Sequence, residues 1–329
     1  MEKRKKIAVR ATGGTIAAVG AEGETNNYTS YEIGVQQLVG DIPGIYDLAE
    51  LMGVQVCNIP STDVTERHWY DLAKTIDELA GREDIDGFVV THGTDTLEET
   101  AYCLQLVVKT QKPIVITGAM RPASAISADG PMNLFQSIAL AASDVAYGMG
   151  VLAVFSDGIY TGRDVQKANC FRPDAFNQKD FGCIGYMLYN KPVLYYKPLR
   201  KHTVDTAFTY RDLASPPRVN VAYFAANIGA DILYDIAKKS DGLIIAGSGG
   251  GWYSTEWIEM SKKLEELGIP VVRSSRVGNG FVQEVDCLDY CQNYIPGDTL
   301  NPAKAKILLQ LALAQKADYK TIRKYFEEY

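Results

Sequence analysis

The sequence predicts an α/β fold in two domains, and three observations carry that prediction. Short apolar runs end repeatedly in small polar residues and are followed by segments with helical spacing. The chain has 329 residues, 47% of them hydrophobic, more than one core usually supports. Ser215-Pro216-Pro217 interrupts the alternation where neither regular element can continue. The reading is therefore a larger N-terminal domain over 1–211 with a mostly parallel sheet, a linker over 212–218, and a smaller α/β domain over 219–329.

The first strand covers Lys6 to Ala11 and turns at Thr12-Gly13-Gly14-Thr15, where two glycines let backbone N–H groups approach an oxygen anion. Gly20 to Tyr31, polar and rich in glycine and asparagine, has too little apolar content for an element and reads as a surface loop or an active-site lid. Strands follow at Gln55–Ile59, Gly87–Val90, Pro113–Thr117 and Gly150–Phe155, with helices over Arg67–Leu79, Leu97–Val108 and Met132–Ala142. Tyr160 to Arg211 alternates poorly and reads as an irregular crossover or hairpin region. In the second domain, strands at Val219–Phe224, Gly242–Ala246 and Pro270–Arg273 alternate with helices at Ile232–Lys239 and Trp257–Leu267. Asn301-Pro302 opens an amphipathic helix to Leu313, and a short helix covers Tyr319–Phe326.

A net charge of −7 argues against a nucleic-acid groove, and the lack of a long apolar run argues against a membrane span. The N-terminus passes from charged residues straight into a strand with no signal-length apolar stretch. The chain as written is expected to be cytoplasmic, and periplasmic or secreted only if a signal was removed. Six cysteines in so long a chain form no disulfide framework; Cys57 and Cys103 read as core thiols. Cys287 and Cys291 have no histidine near them in sequence, so neither a metal nor a cofactor is expected.

The stretch FVVTHGTDTLEET (88–100) concentrates candidate chemistry at a strand end. Hydrolysis of a carboxamide needs a nucleophile, a path for its proton, and donors aimed at the developing oxyanion. Thr94, Asp95 and a lysine from another segment form such a set. Equally, Thr94 and Asp95 read as a cap and a dipole complement for the helix that follows.

ATGGTIA (11–17), THGTDTLEETAY (91–102), GAMRP (118–122), SADGPMNL (127–134), GRDVQK (162–167), RSSRV (273–277) and LNPAKAKILLQLAL (300–313) together resemble the bacterial type II L-asparaginases and their glutaminase-asparaginase relatives. The resemblance runs nearly end to end. It implies a left-handed crossover near the active site and a homotetramer, a dimer of intimate dimers whose sites lie between subunits. The implied reaction converts L-asparagine to L-aspartate and ammonia through an acyl-enzyme on a threonine, with comparable hydrolysis of L-glutamine as the alternative.

Carried over by position, the resemblance makes Thr15 the first catalytic threonine and Tyr28 the lid tyrosine that activates it. Thr94 and Asp95 match the second threonine and its aspartate, and Lys167 matches the buried lysine paired with them. Asp95 is implied to hold the substrate α-ammonium and Ser61 its α-carboxylate, while the Thr94 N–H and the Ala119 carbonyl orient the amide. Three departures stand out. Thr62 replaces the usual glutamine or glutamate, and GSGGGW (247–252) puts Gly250 and Trp252 where asparagines assist the neighbouring site. VQEVD (282–286) is short, leaving Glu284 or Asp286 as the acid contributed across the interface.

Overall fold

The computed structural model describes residues 4–20, 28–31, 34–177 and 180–329. The chain divides into two compact units, Met1–Tyr210 and Arg211–Tyr329. The first contains β1 (Lys6–Gly13), β2 (Ala18–Gly20), β3 (Tyr28–Tyr31), α1 (Val35–Gly40), α2 (Ile45–Leu48), β4 (Glu50–Ile59), α3 (Glu66–Ala80) and β5 (Gly87–Thr91). It continues through α4 (Leu97–Val107), β6 (Ile114–Thr117), α5 (Gly130–Ala141), β7 (Val151–Phe155), β8 (Gly158–Thr161), β9 (Gly185–Leu188) and β10 (Lys191–Leu194). Strands β4, β1, β5, β6 and β7 lie side by side and parallel; β8, β9 and β10 extend the sheet antiparallel.

Every residue of β5, β6 and β7 is buried, as expected of parallel strands covered by helices. Leu134 and Ile138 of α5 share one core with Val9, Val89, Val115 and Leu152, and α4 packs against β6 and β7 outside that cluster. The parallel strands therefore direct their C-terminal turns to one edge of the sheet, where open α/β sheets bind ligands.

The second unit contains β11 (Val219–Tyr223), α6 (Asp231–Ala237), β12 (Gly242–Gly247), α7 (Thr255–Leu264), β13 (Val271–Ser275), β14 (Tyr294–Pro296), α8 (Pro302–Ala314) and α9 (Tyr319–Glu328). Its four strands form a parallel sheet in chain order. Asn301 caps α8 by accepting the Lys304 N–H at 3.0 Å, and Pro302 takes the first-turn position that needs no donor.

Several local expectations change. Of the two readings of Tyr160–Arg211, crossover or hairpin, the hairpin is present over 185–194, where β9 and β10 join through a two-residue turn with Tyr189 at φ +59°. The Tyr189 ring packs on Phe135 of α5 at 5.1 Å, a contact 54 residues away in sequence that local alternation does not reveal. The ends of Gly20–Tyr31 pair as β2 and β3; tyrosine and threonine favour a strand even without apolar bulk. The lid expectation falls largely on residues 21–27, which lie outside the described residues. Helix α8 is not amphipathic, because β11 to β13 and α9 both pack on it and bury it from Lys304 to Ala312 apart from Lys306. Cys103 is a core thiol, whereas Cys57 is only half-buried because β4 is an edge strand.

Candidate active site

The turn after β1 is built by two glycines in the left-handed region, Gly13 at φ +101° and Gly14 at φ +83°. A Cβ on Gly14 would stand 2.3 Å from the Cα and N of Gly93, so the β1 and β5 turns touch backbone to backbone. Gly93 continues the contact, since a Cβ there would meet the Ser61 side chain at 2.8 Å; at Gly118 it would meet the His92 carbonyl at 2.4 Å. Four strand ends thus converge where glycine removes the side chains between them. Thr15 follows Gly14 directly, buried at the start of a 3-10 turn.

The β5 turn is braced from several directions. The Ser61 hydroxyl accepts the Asp95 N–H at 3.2 Å, and the Thr96 hydroxyl donates to the Ser61 carbonyl at 2.7 Å. Beneath the turn, Trp69 Nε1 donates to Thr100 Oγ1 at 2.8 Å, and Thr100 Oγ1 lies 2.9 Å from His92 Nε2. His92 Nδ1 faces the Gly93 carbonyl at 2.7 Å. A carbonyl only accepts, so Nδ1 carries the proton and Nε2 accepts from Thr100. Burial pushes the His92 imidazole down to about 4, which keeps it neutral in this chain of hydrogen bonds.

Lys167 reaches the same turn from the segment after β8. Its ammonium donates to Thr94 Oγ1 at 2.9 Å and to Asp95 Oδ1 at 2.6 Å, across 73 and 72 residues of sequence. Its backbone N–H donates to Glu98 Oε2 at 2.6 Å, which ties the lysine to the first turn of α4. The Lys167 side chain is 15% exposed and that of Asp95 63%. The pair is rooted in the protein at the lysine end and open at the carboxylate end. A hydroxyl, an ammonium and a carboxylate so arranged can hold a polar zwitterion and move a proton at Thr94 Oγ1.

The family model described as "Asparaginase, N-terminal" matches residues 6–200, and that of the "Glutaminase/Asparaginase C-terminal domain" matches residues 218–326. This chain belongs to the asparaginase family of amidohydrolases. It is 41% identical to L-asparaginase 2 of Escherichia coli (strain K12) over 98% of this chain and 93% of that protein. To the glutaminase-asparaginase of Pseudomonas fluorescens biotype A it is 37% identical, over 99% and 91%. The crystal structure of the probable cytoplasmic L-asparaginase from Campylobacter jejuni matches with TM-score 0.91 at 38% identity, covering 99% of this chain and 100% of that one.

The other residues that the asparaginase resemblance singles out fall in several places. Ala119 is fully buried, on a turn that Asp129 pins by accepting the Met120 and Arg121 N–H groups at 2.9 Å and Asn133 by donating to the Gly118 carbonyl at 3.0 Å. Thr62 is exposed in the 3-10 turn after β4. Tyr28 opens β3, and its side chain lies outside the description. In the second unit, Ser248 and Trp252 close a tight loop through reciprocal backbone hydrogen bonds, with Trp252 45% exposed. Glu284 pairs with Arg323 at 3.1 Å, and Asp286 is exposed. Sequence reasoning missed His92, Thr100, Glu98 and Asp129. Each reads locally as a helix or turn residue, and the signal on offer was their place in the THGTDTLEETAY and SADGPMNL blocks. Among the described residues no cluster of His, Cys, Asp and Glu could hold a metal, and no helix is long and apolar enough to cross a membrane.

Proposed function

We propose that the protein hydrolyses the side-chain amide of L-asparagine to L-aspartate and ammonia with Thr15 as nucleophile. Thr15 Oγ attacks the amide carbon and its proton passes to the amide nitrogen, so that the C–N bond breaks and ammonia leaves. Water then adds to the resulting ester, returning the proton to Thr15 and freeing the carboxylate. The Thr94 N–H and the Ala119 carbonyl orient the amide, while Ser61 and Asp95 take the α-carboxylate and the α-ammonium. One observation carries this reading: the Lys167 ammonium is hydrogen-bonded to both Thr94 and Asp95, on a turn whose Gly93 abuts the residue before Thr15.

The working assembly in this proposal is a homotetramer, a dimer of intimate dimers, in which Trp252 and Glu284 complete a neighbouring subunit's site. Exposed Tyr186, Leu188, Tyr195 and Tyr196 on and beside the β9–β10 hairpin support it, being an apolar surface that a second copy would cover. Glu284 is favoured over Asp286 because its carboxylate is held in place by Arg323.

Thr15→Ala is expected to lower kcat at least about 10³-fold without moving the unfolding midpoint, since it removes covalent catalysis and little packing. Ammonia release measures it, and retention of more than about a tenth of kcat rejects the assignment. A glutaminase-asparaginase is the second reading, favoured by the short, exposed Thr62, which leaves room behind the α-ammonium for a substrate one methylene longer.

A further inference from the structure

Glu284 lies on a segment whose neighbours are fixed before any substrate arrives. Arg273, fully buried on β13, donates to the Gln283 carbonyl at 2.8 Å and grips Asp289 through Nε at 2.7 Å and Nη2 at 2.5 Å. Asp289 in turn accepts the Val285 N–H at 2.8 Å. The backbone is thereby held on both sides of Glu284. Its side chain, 61% exposed, would still sample many rotamers if it depended on the backbone alone.

What restrains it is Arg323, on the last helix of the chain. Arg323 Nη2 donates to the Tyr294 carbonyl at 2.8 Å, and Tyr294 is itself buried with its hydroxyl donating to the Ser261 carbonyl at 2.7 Å. The guanidinium is thus braced against the core and only 26% exposed, with Nη1 left to meet Glu284 Oε1 at 3.1 Å. The contact engages one carboxylate oxygen of a side chain that stays largely exposed. A planar guanidinium suits this task because its fork serves two acceptors in fixed directions at once.

We propose that Arg323 is a positioning residue for the amide-hydrolysis site: it aims the Glu284 carboxylate at the substrate α-ammonium in the neighbouring subunit. The proposal rests on the reading of Glu284 given above. Positioning of this kind acts on binding, because the ammonium is the same in ground and transition states. It also bears on Thr62, whose short side chain leaves more of the ammonium to Glu284.

The test uses the full-length assembled protein. Arg323→Gln is expected to raise KM for asparagine about two- to fivefold, the range of an exposed charge pair, with kcat within about a factor of two. Arg323→Lys, which keeps the charge but loses the fork, is expected to fall between the two. Competition with aspartate and with succinate, which lacks the α-ammonium, separates positioning from a general structural effect. The aspartate inhibition constant should weaken in Arg323→Gln while that of succinate stays unchanged. Equal weakening of both, or an unchanged KM in Arg323→Gln, overturns the proposal. Glu284→Gln tests the underlying reading separately. If it leaves KM unchanged, Glu284 does not meet the ammonium and both ideas fail; if it raises KM and Arg323→Gln does not, only the role of Arg323 fails.

Discussion

Two cation–carboxylate pairs in this molecule have similar distances and opposite surroundings. Arg273 and Asp289 meet at 2.5 Å with both side chains fully buried, and the remaining donors and acceptors of the pair are taken up by backbone groups of the same unit. Lys167 and Asp95 meet at 2.6 Å with the lysine 15% exposed and the aspartate 63% exposed. The first pair holds loops together and leaves nothing for a ligand. The second is fixed at its cation, by Thr94 and through the Glu98 contact to its backbone, while its carboxylate faces outward. Short distance does not separate a scaffold from a site; what does is whether one partner keeps unused hydrogen-bonding capacity in the open.

The contrast is broken most directly at the open pair. Lys167→Met is expected to reduce turnover at least about 10³-fold while leaving aspartate binding measurable and the unfolding midpoint close to wild type. Calorimetric titration with aspartate and ammonia-release assays check both halves, and a variant that turns over normally would make Lys167–Asp95 another scaffold contact. Asp289→Ala should behave in the opposite sense. Leaving Arg273 buried without its partner is expected to cost about 3–5 kcal/mol in urea unfolding, and a loss below about 1 kcal/mol would remove the pair from the scaffold.

A third polar network sharpens the comparison because it is sealed yet lies directly under the open turn. Unfolded His92 titrates near the ordinary value of 6.5, whereas burial holds it at about 4 in the fold. Between those values the unfolded chain binds a proton that the folded chain does not. Stability therefore falls as pH drops through that window, by about 3 kcal/mol in all. His92→Gln is expected to flatten this part of the pH–stability profile, and an unchanged slope between pH 6.5 and 4.5 would deny the network its role. The smallest effect concerns substrate choice at the open end. Discrimination against one extra methylene is worth about 1–3 kcal/mol, and a kcat/KM ratio of asparagine to glutamine of at least about tenfold is expected. Steady-state assays on both amides decide it, with a ratio near one placing the enzyme among the glutaminase-asparaginases.

Legibility of the site in the sequence follows the range of the interactions that build it. Thr12-Gly13-Gly14-Thr15 and Thr94-Asp95 announce themselves because an apolar run ends in glycine and small polar residues within a few positions. The resemblance added Ala119 and Lys167 by block and Ser61 by position. It gave no reason for Glu98 to accept the Lys167 N–H or for Trp69 and Thr100 to reach His92, contacts spanning 69, 31 and 8 residues. Glu98 stands in the first turn of α4, where an acid complements the helix dipole, so its position gives no sign of the Lys167 contact.

By itself the sequence determined the local grammar of this protein: the strand-then-helix alternation of β5 with α4 and of β11 with α6, the helix start at Asn301-Pro302, and which turns carry hydroxyls and glycines. These depend on backbone preferences and apolar spacing within one or two turns of chain, which neighbouring residues specify. Only the tertiary structure decided that β8 to β10 extend the sheet antiparallel, that α8 is buried on more than one side, and that Glu98 accepts the Lys167 N–H. Those outcomes depend on strand order and on close backbone approach at Gly14, Gly93 and Gly118, where distant segments meet because no side chain stands between them. Periodicity records which face of an element is buried, and it is silent about what the element is buried against.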